Sequence, residues 1–209
     1  MFEEIREWYN SVLALKAVES LKRNGFGAYY FKGRSEAVEK ILALVPEGAV
    51  VGIGGSITVR ELGLPELLSK RGHEVILHNS PDTFENRRKT VVADVFLSSV
   101  NAVTLDGKLV CLDGVGNRVA ALAFGPKRTI VVAGVNKLVK GLNEALWRVK
   151  NVAAPMNVKR LNRDAPCALD GFCVDCDSSG RLCRAILILE KAPALSDFNV
   201  ILVGESLGF

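Results

Sequence analysis

Apolar positions follow two alternating periods along this chain, a helical one and a short strand-like one. Over residues 1–24, apolar side chains return about every three or four positions, which predicts an amphipathic helix ended by Gly25. Beyond this helix, short apolar runs lie between Gly, Pro and Asp residues and predict strands. The predicted strands cover residues 28–31, 49–53, 74–78, 94–98, 102–104, 108–112, 129–133, 185–189 and 200–203.

Helical patterns separate most of these strands, at residues 35–45, 56–63, 65–72, 81–92, 118–124, 142–152 and 155–161. This alternation predicts an α/β fold with an open, mostly parallel sheet and helices on both faces. Asp106-Gly107 predicts a tight turn, which adds an antiparallel hairpin. Trp8 and Trp147 occupy apolar helical positions and are expected in the core. No repeat or linker divides the chain, so we expect a single domain over residues 1–209.

Composition narrows the class of protein. Of the 209 residues, 49% are hydrophobic, which suffices for a sizeable core. No apolar run reaches the roughly 20 residues of a membrane helix, and the acidic, aromatic N-terminus is unlike a secretory signal. The formal net charge of +4 comes from mixed charges without a basic block, which argues against nucleic-acid binding. We therefore expect a soluble, cytoplasmic protein.

A glycine turn follows the predicted strand 49–53. Gly54, Gly55, Ser56 and Thr58 lie where glycines let the backbone approach a ligand, and where hydroxyl and helix N–H groups bind an anion. The turn lacks both the Gly-Lys-Ser/Thr of a Walker loop and the full spacing of a dinucleotide-binding turn. Two interpretations stay open, an anion-binding turn and a structural turn capped by Ser56.

Polar residues cluster at the predicted strand ends between residues 101 and 137. Ligands bind at the carboxyl ends of strands in an open α/β sheet, and a carboxylate there can act as acid or base. Asp106 and Asp113 are the candidate catalytic residues, although both precede glycine as turn-forming aspartates do. The candidate ligand-binding residues are Asn101, Thr104, Asn117, Arg118, Asn136 and Lys137. Of these, Arg118 is suited to bidentate binding of a carboxylate or phosphate.

The segment 163–184 is a Cys-rich loop. Cys167, Cys173, Cys176 and Cys183 are predicted to ligate a metal, because four thiolates suit either tetrahedral zinc or a [4Fe–4S] cluster. The spacing does not choose between these two, and free thiols remain the alternative. Cys111 stands alone in an apolar run and is expected to be a buried core residue.

Several motifs in order resemble one known family. They are Gly52-x-Gly54-Gly55-Ser56, Val100-Asn101-Ala102-Val103-Thr104-x-Asp106-Gly107, Asp113-Gly114-x-Gly116-Asn117-Arg118, Val131-Val132-Ala133-Gly134-x-Asn136-Lys137 and Cys173-x-Asp175-Cys176. This series resembles the LUD domain, which is named for lactate utilization and seen in the LutB and LutC proteins. The resemblance implies a fold similar to the ribose-5-phosphate isomerase and CoA-transferase superfamily, with phosphate or cofactor at the first glycine turn and an acidic residue at a later strand end. The chain lacks the paired ferredoxin-like cysteine motifs of LutB, so it looks like a stand-alone LUD protein.

Two functions stay open from the sequence. One is a protein that binds a small anionic organic ligand, a hydroxy acid or a phosphorylated compound, in lactate or organic-acid metabolism. Isomerase-like or transferase-like chemistry would suit its carboxylates. The other is a non-catalytic assembly or electron-transfer subunit, which carries a metal or iron–sulfur cluster and contacts a protein partner in a redox complex. Whether the chain is an enzyme, and whether it forms a homo-oligomer, are left open.

Overall fold

Six parallel strands form the main sheet of the protein. The structure is a computed structural model that describes residues 1–209. Numbered in chain order, the strands of this sheet are β1 (Gly27–Phe31), β2 (Val51–Ile53), β3 (Val75–Leu77), β4 (Val95–Ser98), β7 (Arg128–Gly134) and β10 (Asp197–Val203). Their spatial order is β1-β10-β7-β4-β2-β3, and every neighbouring pair is parallel. The predicted mostly parallel sheet is confirmed.

A second, smaller sheet contains the predicted hairpin. Its strands are β5 (Ala102–Thr104), β6 (Leu109–Asp113), β8 (Leu138–Val139) and β9 (Ala185–Leu189), in the order β8-β5-β6-β9. β5 and β6 pair antiparallel around Gly107, whose φ of 84° is one that glycine adopts without strain. The sequence predicts the strand at β9 but not its place, because β9 leaves the main sheet to pair with β6.

Nine α-helices surround the sheets. They are α1 (Phe2–Arg23), α2 (Arg34–Leu44), α3 (Ile57–Glu61), α4 (Leu64–Lys70), α5 (Phe84–Val91), α6 (Asn117–Phe124), α7 (Leu142–Arg148), α8 (Ala154–Arg160) and α9 (Cys167–Asp170). A π-helical turn, Val149–Ala153, connects α7 to α8. None of the helices is both long and apolar enough to cross a lipid bilayer.

The two faces of the main sheet each bury a separate apolar core. In β10, Val200 and Leu202 pack on one side with α1 and α6, whereas Ile201 and Val203 pack on the other side with α2, α3 and α4. This division follows from the two-residue period of a strand. It confirms the prediction of helices on both faces of a sheet.

Two tryptophans correct the predicted core. Trp8 in α1 is 64% exposed and Trp147 in α7 is 62% exposed, although both occupy apolar helical positions. α1 instead buries Ala14, Ala17 and Leu21. Helical periodicity identifies an apolar face but does not determine whether another element of the fold covers it.

The order of the strands creates a crevice beside β2. From β2 the chain continues to β3 at the sheet edge, and then returns to β4 on the other side of β2. From β2 the chain therefore moves towards the β3 edge of the sheet, whereas the next main-sheet strand after β4 is β7, on the opposite side. This is the position where open α/β sheets bind ligands, at the carboxyl ends of the strands.

Candidate functional site

A cavity of about 220 Å³ lies at this crevice. Its walls come from the segments that follow β2, β3, β4, β6 and β7, and from α8 with the residues just after it. Of the residues predicted at the site, Gly55, Ser56, Thr58, Asn101, Asp113, Asn117, Arg118 and Lys137 line this cavity. The fold thus brings together residues from four separate parts of the predicted site.

Basic side chains outnumber acidic ones around the cavity. The basic ones are Arg60, Arg87, Arg118, Lys137, Arg160 and Arg163, and the acidic ones are Asp82 and Asp113. Asp82 pairs with Arg87 at 2.6 Å, and backbone N–H groups occupy both oxygens of Asp113. None of the other four arginines forms an ion pair, so the cavity has a surplus of positive charge.

Lys137 is a buried cation at this cavity, with only 2% of its surface exposed. Its Nζ donates hydrogen bonds of 2.8 Å to the hydroxyls of Thr58 and Ser99. Burial, followed by the positive charges of Arg148 and Arg118, lowers the pKa of Lys137 to about 7. The amine is therefore neutral in a substantial fraction of molecules near pH 7.

His78 reaches the cavity from the end of β3. Its Nδ1 accepts a 2.8 Å hydrogen bond from Arg87, which leaves the Nε2 hydrogen as the donor of a neutral ring. Burial and the charge of Arg87 lower the pKa of His78 to about 4, so the ring is neutral at pH 7. Asp82 in turn fixes Arg87 through two hydrogen bonds of 3.0 and 2.6 Å.

Protein groups hold one edge of the Arg118 guanidinium. Its guanidinium donates to the backbone carbonyl of Leu112 and, at 3.2 Å, to the side chain of Asn101. Asn101 also accepts a 2.9 Å bond from the backbone of Leu112, which fixes its amide. The remaining N–H groups of Arg118 are available to a ligand in the cavity.

Asp113 lies in the cavity wall and caps α6. One carboxylate oxygen accepts from the N–H groups of Gly114 and Val115, and the other from those of Arg118 and Val119. Four such bonds make Asp113 the anchor of the turn into α6. Its role as a catalytic carboxylate stays a prediction.

The glycine turn after β2 approaches its neighbours closely. A Cβ on Gly55 would lie 2.6 Å from His78 Nε2, and one on Gly54 would lie 3.0 Å from Ser98 Oγ. A side chain on Gly55 would therefore force the His78 ring to move. Ser56 caps the short helix α3 by accepting a 3.2 Å bond from Val59.

Four predicted residues do not line the cavity: Gly54 lies directly before it in the glycine turn, and Thr104, Asp106 and Asn136 lie elsewhere. Thr104 and Asp106 bond to each other in the β5–β6 turn, where Asp106 also pairs with Lys108 at 3.4 Å. Asn136 bonds instead to the backbone of Leu207 and Gly208, at 3.1 and 3.0 Å. The structure therefore does not bring Asp106, the other candidate catalytic residue, to the cavity.

The four cysteines of the Cys-rich loop line a separate small cavity of about 20 Å³. All four are free thiols, and no group of three or more His, Cys, Asp or Glu side chains has an arrangement that would hold a metal ion. Cys111 lies apart in β6 with 1% exposure, as predicted for a core residue. Ala154 and Leu182 line both this small cavity and the larger one.

Several cavity residues have no clear signal in the sequence. Arg160 and Arg163 lie at the end of α8 and beyond it, far along the chain from the glycine turn, and Ser99 is an ordinary serine after a strand. His78 follows a short strand, but its partner Arg87 lies in a charged helical segment that is typical of a solvated surface. Only the packing of strands, helices and loops in the tertiary structure places them together.

The fold and the cavity define an open α/β protein with a cationic site at the carboxyl ends of its strands. The family model of the LUD domain matches residues 14–203, so the chain belongs to the LUD domain family, which is associated with lactate utilization. No curated protein matches the chain. Among solved structures it is similar to a DUF162 family protein from Deinococcus radiodurans, with 14% sequence identity and a TM-score of 0.51. That match covers 93% of this chain and 98% of the other, and it supports the fold.

Proposed function

We propose that the protein binds a small anionic organic ligand, a hydroxy acid or a phosphorylated compound, and acts in lactate or organic-acid metabolism. The observation that supports this proposal is the group of four arginines in the cavity that have no carboxylate partner, Arg60, Arg118, Arg160 and Arg163. Neighbouring positive charges repel one another, and a bound anion relieves this repulsion. The cavity volume of about 220 Å³ suits a molecule of a few carbon atoms.

Arg118 and Arg163 would hold the anion in different ways. Arg118 is anchored by Leu112 and Asn101 and would offer a fixed guanidinium edge to a carboxylate or phosphate. Arg163 forms no side-chain hydrogen bond or ion pair and would adjust to the ligand. The Nε2 hydrogen of His78 would add a neutral donor. Isomerase-like or transferase-like chemistry would need a proton carrier, and Lys137 is the group with the suitable pKa.

The proposal is tested by a thermal-shift screen of hydroxy acids, sugar phosphates and CoA esters on the wild-type protein. Hits are then titrated against Arg118→Ala, Arg163→Ala and the control Arg71→Ala, which removes an exposed arginine outside the cavity. Loss of one charge-assisted contact should weaken binding about 10- to 100-fold, since such bonds contribute roughly 1.5–3 kcal/mol.

Arg163→Ala is the cleaner of the two cavity variants, because Arg163 supports no other residue, whereas Arg118 also holds Leu112 and Asn101. The proposal predicts weaker binding in both cavity variants and unchanged binding in Arg71→Ala. It fails when no compound of the three classes raises the melting temperature, or when all three variants bind like the wild type.

We propose a second function for the Cys-rich loop, as a site for zinc or a [4Fe–4S] cluster in an assembly or electron-transfer subunit. This is supported by the convergence of Cys167, Cys173, Cys176 and Cys183 on one small cavity. Four thiolates supply a complete ligand set for either group. Arg181 donates to the backbone carbonyls of Cys176 and Cys183 and would balance their negative charge. A reducing cytoplasm, where we place the protein, would keep these thiols free for a metal.

Metal analysis of protein purified without oxygen tests this second function. Brown protein with broad visible absorbance, iron and acid-labile sulfide would support a cluster, whereas colourless protein with one zinc would support a structural site. Cys173→Ser should lose the metal in either case, and Cys111→Ala should keep it. Metal-free wild-type protein that binds neither zinc nor a reconstituted cluster would reject the site.

A further inference from the structure

We propose that Lys137 is a nucleophile, which forms a Schiff base with the carbonyl carbon of a small 2-oxo acid or aldehyde acid bound in the cavity. This inference rests on the proposed function, because the same cavity must first bind the carboxylate of that ligand. It adds the class of substrate and the covalent chemistry of one residue.

The hydrogen bonds around Lys137 leave the amine lone pair without a partner. The Thr58 hydroxyl donates to the backbone carbonyl of Leu207 at 3.2 Å, and the Ser99 hydroxyl donates to that of Val100 at 3.2 Å. Both hydroxyls must therefore accept from Lys137, as their 2.8 Å distances to Nζ indicate. A neutral amine has two hydrogens, and both are used in these bonds. Its lone pair stays free for a carbonyl carbon.

The surroundings of Lys137 favour the neutral amine. The charged groups that act on it are the cations Arg148 and Arg118, with weaker opposing effects from Cys111 and Glu61. No carboxylate lies within salt-bridge distance of its Nζ. A lysine that is desolvated and placed beside other cations is a recognised form of activated amine nucleophile.

Several partners enclose Lys137 and hold it in place. Gly208 covers the amine so closely that a Cβ there would lie 3.5 Å from Nζ and 2.6 Å from Thr58 Oγ1. Gly208 itself is fixed by bonds to Glu61 and Asn136 at 2.7 and 3.0 Å. A lysine held this firmly is positioned for attack and does not have the freedom of a solvated surface side chain.

The cavity chemistry points to a ligand with a carboxylate and a carbonyl close together. Arg118 and Lys137 line the same cavity, and Arg118 is near enough to affect the pKa of the amine. One would bind the carboxylate and the other would attack the carbonyl carbon next to it. The hydroxyls of Thr58 and Ser99 contact Nζ directly and would pass protons.

The reaction is a condensation that loses water. The lone pair of Nζ forms the C–N bond while the C=O π electrons move to oxygen, and a proton passes from nitrogen to that oxygen. Uptake of one solvent proton then lets the C–O bond break with release of water. One amine, one carbonyl and one proton thus give one iminium ion and one water molecule.

Borohydride trapping tests this step. Wild-type protein is incubated at pH 8 with glyoxylate or pyruvate, reduced with sodium borohydride, digested and analysed by mass spectrometry. The reduced adduct should form on Lys137 on the order of 100-fold faster than on exposed Lys140, because an ordinary lysine is almost fully protonated at pH 8. Lys140→Arg should leave the adduct on Lys137 unchanged, and Lys137→Arg should abolish it.

Binding of oxalate, which has no electrophilic carbonyl, separates this inference from the proposed function. Oxalate binding to the wild type and to Lys137→Arg, without an adduct from either probe, overturns the Schiff base and keeps the anion site. If the larger arginine side chain prevents folding of Lys137→Arg, Lys137→Met is used in its place. An adduct equal on Lys137 and Lys140 also overturns the inference. Absence of binding by oxalate, pyruvate and glyoxylate also overturns the Schiff base, whereas the anion site itself fails only when the thermal-shift screen finds no ligand.

Discussion

At the scale of single residues, Lys137 is the group whose properties depend most on its surroundings. The same side chain on the surface would be fully protonated at pH 7 and solvated. Here burial and two neighbouring arginines lower its pKa to about 7, against 10.5 for an ordinary lysine. The protein therefore gives up stability to keep this amine in the cavity wall.

This cost predicts a pH-dependent stability. Between pH 7 and about 10.5 the unfolded chain binds a proton at Lys137 that the folded chain does not, so stability rises with pH in this window. The stability of Lys137→Met relative to the wild type should therefore be greater at pH 7 than at pH 10, by on the order of 3–4 kcal/mol. Urea unfolding at several pH values measures it, with Lys140→Met as the control. A pH-independent difference would mean that the amine is not neutralised by burial.

A second prediction at this scale concerns Gly55 and His78. Gly55→Ala places a methyl group 2.6 Å from His78 Nε2, so the ring must move and weaken its bond to Arg87. The pKa of His78 should then rise from about 4 towards its ordinary value, and anion binding should weaken about tenfold. NMR titration of the histidine ring detects the pKa change, with His73 as the other of the chain's two histidines.

Gly33→Ala is the matched control for this substitution, because a Cβ on Gly33 meets nothing within 4 Å. It should leave both the His78 titration and anion binding unchanged. An unchanged pKa of His78 in Gly55→Ala would show that the close approach of the glycine turn does not position the ring.

At the scale of elements, the turn from β6 into α6 organises the cavity wall. Asp113 ends β6, and its carboxylate binds four backbone N–H groups that include the first turn of α6. The same turn fixes the backbone position from which the Arg118 side chain extends into the cavity. One aspartate thus joins a strand, a helix and a ligand-binding arginine.

Asp113→Ala should lower the free energy of unfolding by roughly 2–3 kcal/mol, because it removes a charged cap and leaves several N–H groups without a protein partner. It should also weaken anion binding, since Arg118 loses its fixed position. Asp113→Asn keeps one acceptor oxygen and should have about half of the stability effect. Denaturant unfolding and ligand titration measure both quantities.

Asp106→Ala is the comparison for Asp113, because Asp106 is half-exposed in the β5–β6 turn and pairs with Lys108 outside the cavity. A surface pair of this kind contributes less than about 1 kcal/mol. Equal effects of the two substitutions, on stability and on binding, would contradict the role assigned to Asp113.

At the scale of the whole molecule, the two cavities share a wall. Ala154 and Leu182 line both the ligand cavity and the small cavity of the four cysteines. Arg160 is the last residue of α8 and Arg163 the first residue of the Cys-rich loop, so the position of this loop affects the cationic surface. A metal bound by the proposed cysteine site would therefore stiffen one side of the ligand cavity.

This arrangement predicts that metal loss weakens anion binding at a distance. The double variant Cys173→Ser/Cys176→Ser should have a lower melting temperature and bind the anion several-fold more weakly than the metal-loaded wild type. Titration calorimetry of the loaded and metal-free proteins measures the difference. Cys111→Ala removes the thiol in β6 and should keep metal-dependent binding. Identical anion affinity with and without the cysteine pair would contradict this prediction and would mean that the two sites are energetically independent.

Much of the candidate site could be predicted from residues at strand ends. The glycine turn at Gly55 and Lys137 follow parallel strands of the main sheet, whose carboxyl ends meet at one edge, and Asn117-Arg118 follow the predicted strand β6 of the second sheet. The same reasoning included Thr104, Asp106 and Asn136, which lie elsewhere. It could not separate the two groups, because β5 runs antiparallel to β6, so its carboxyl end points away from the cavity that the end of β6 reaches, and because Asn136 bonds the C-terminal segment.

The sequence by itself determined most of the elements, the α/β class and the family, because apolar periodicity and short motifs are local properties of the chain. The tertiary structure decided which polar residues meet, and what charge they carry. Thr58, Ser99 and Lys137 contact one another only because β2, β4 and β7 lie side by side. The lowered pKa of Lys137 depends on burial and on Arg148 and Arg118. These are properties of distance and solvent exposure, which no local pattern records.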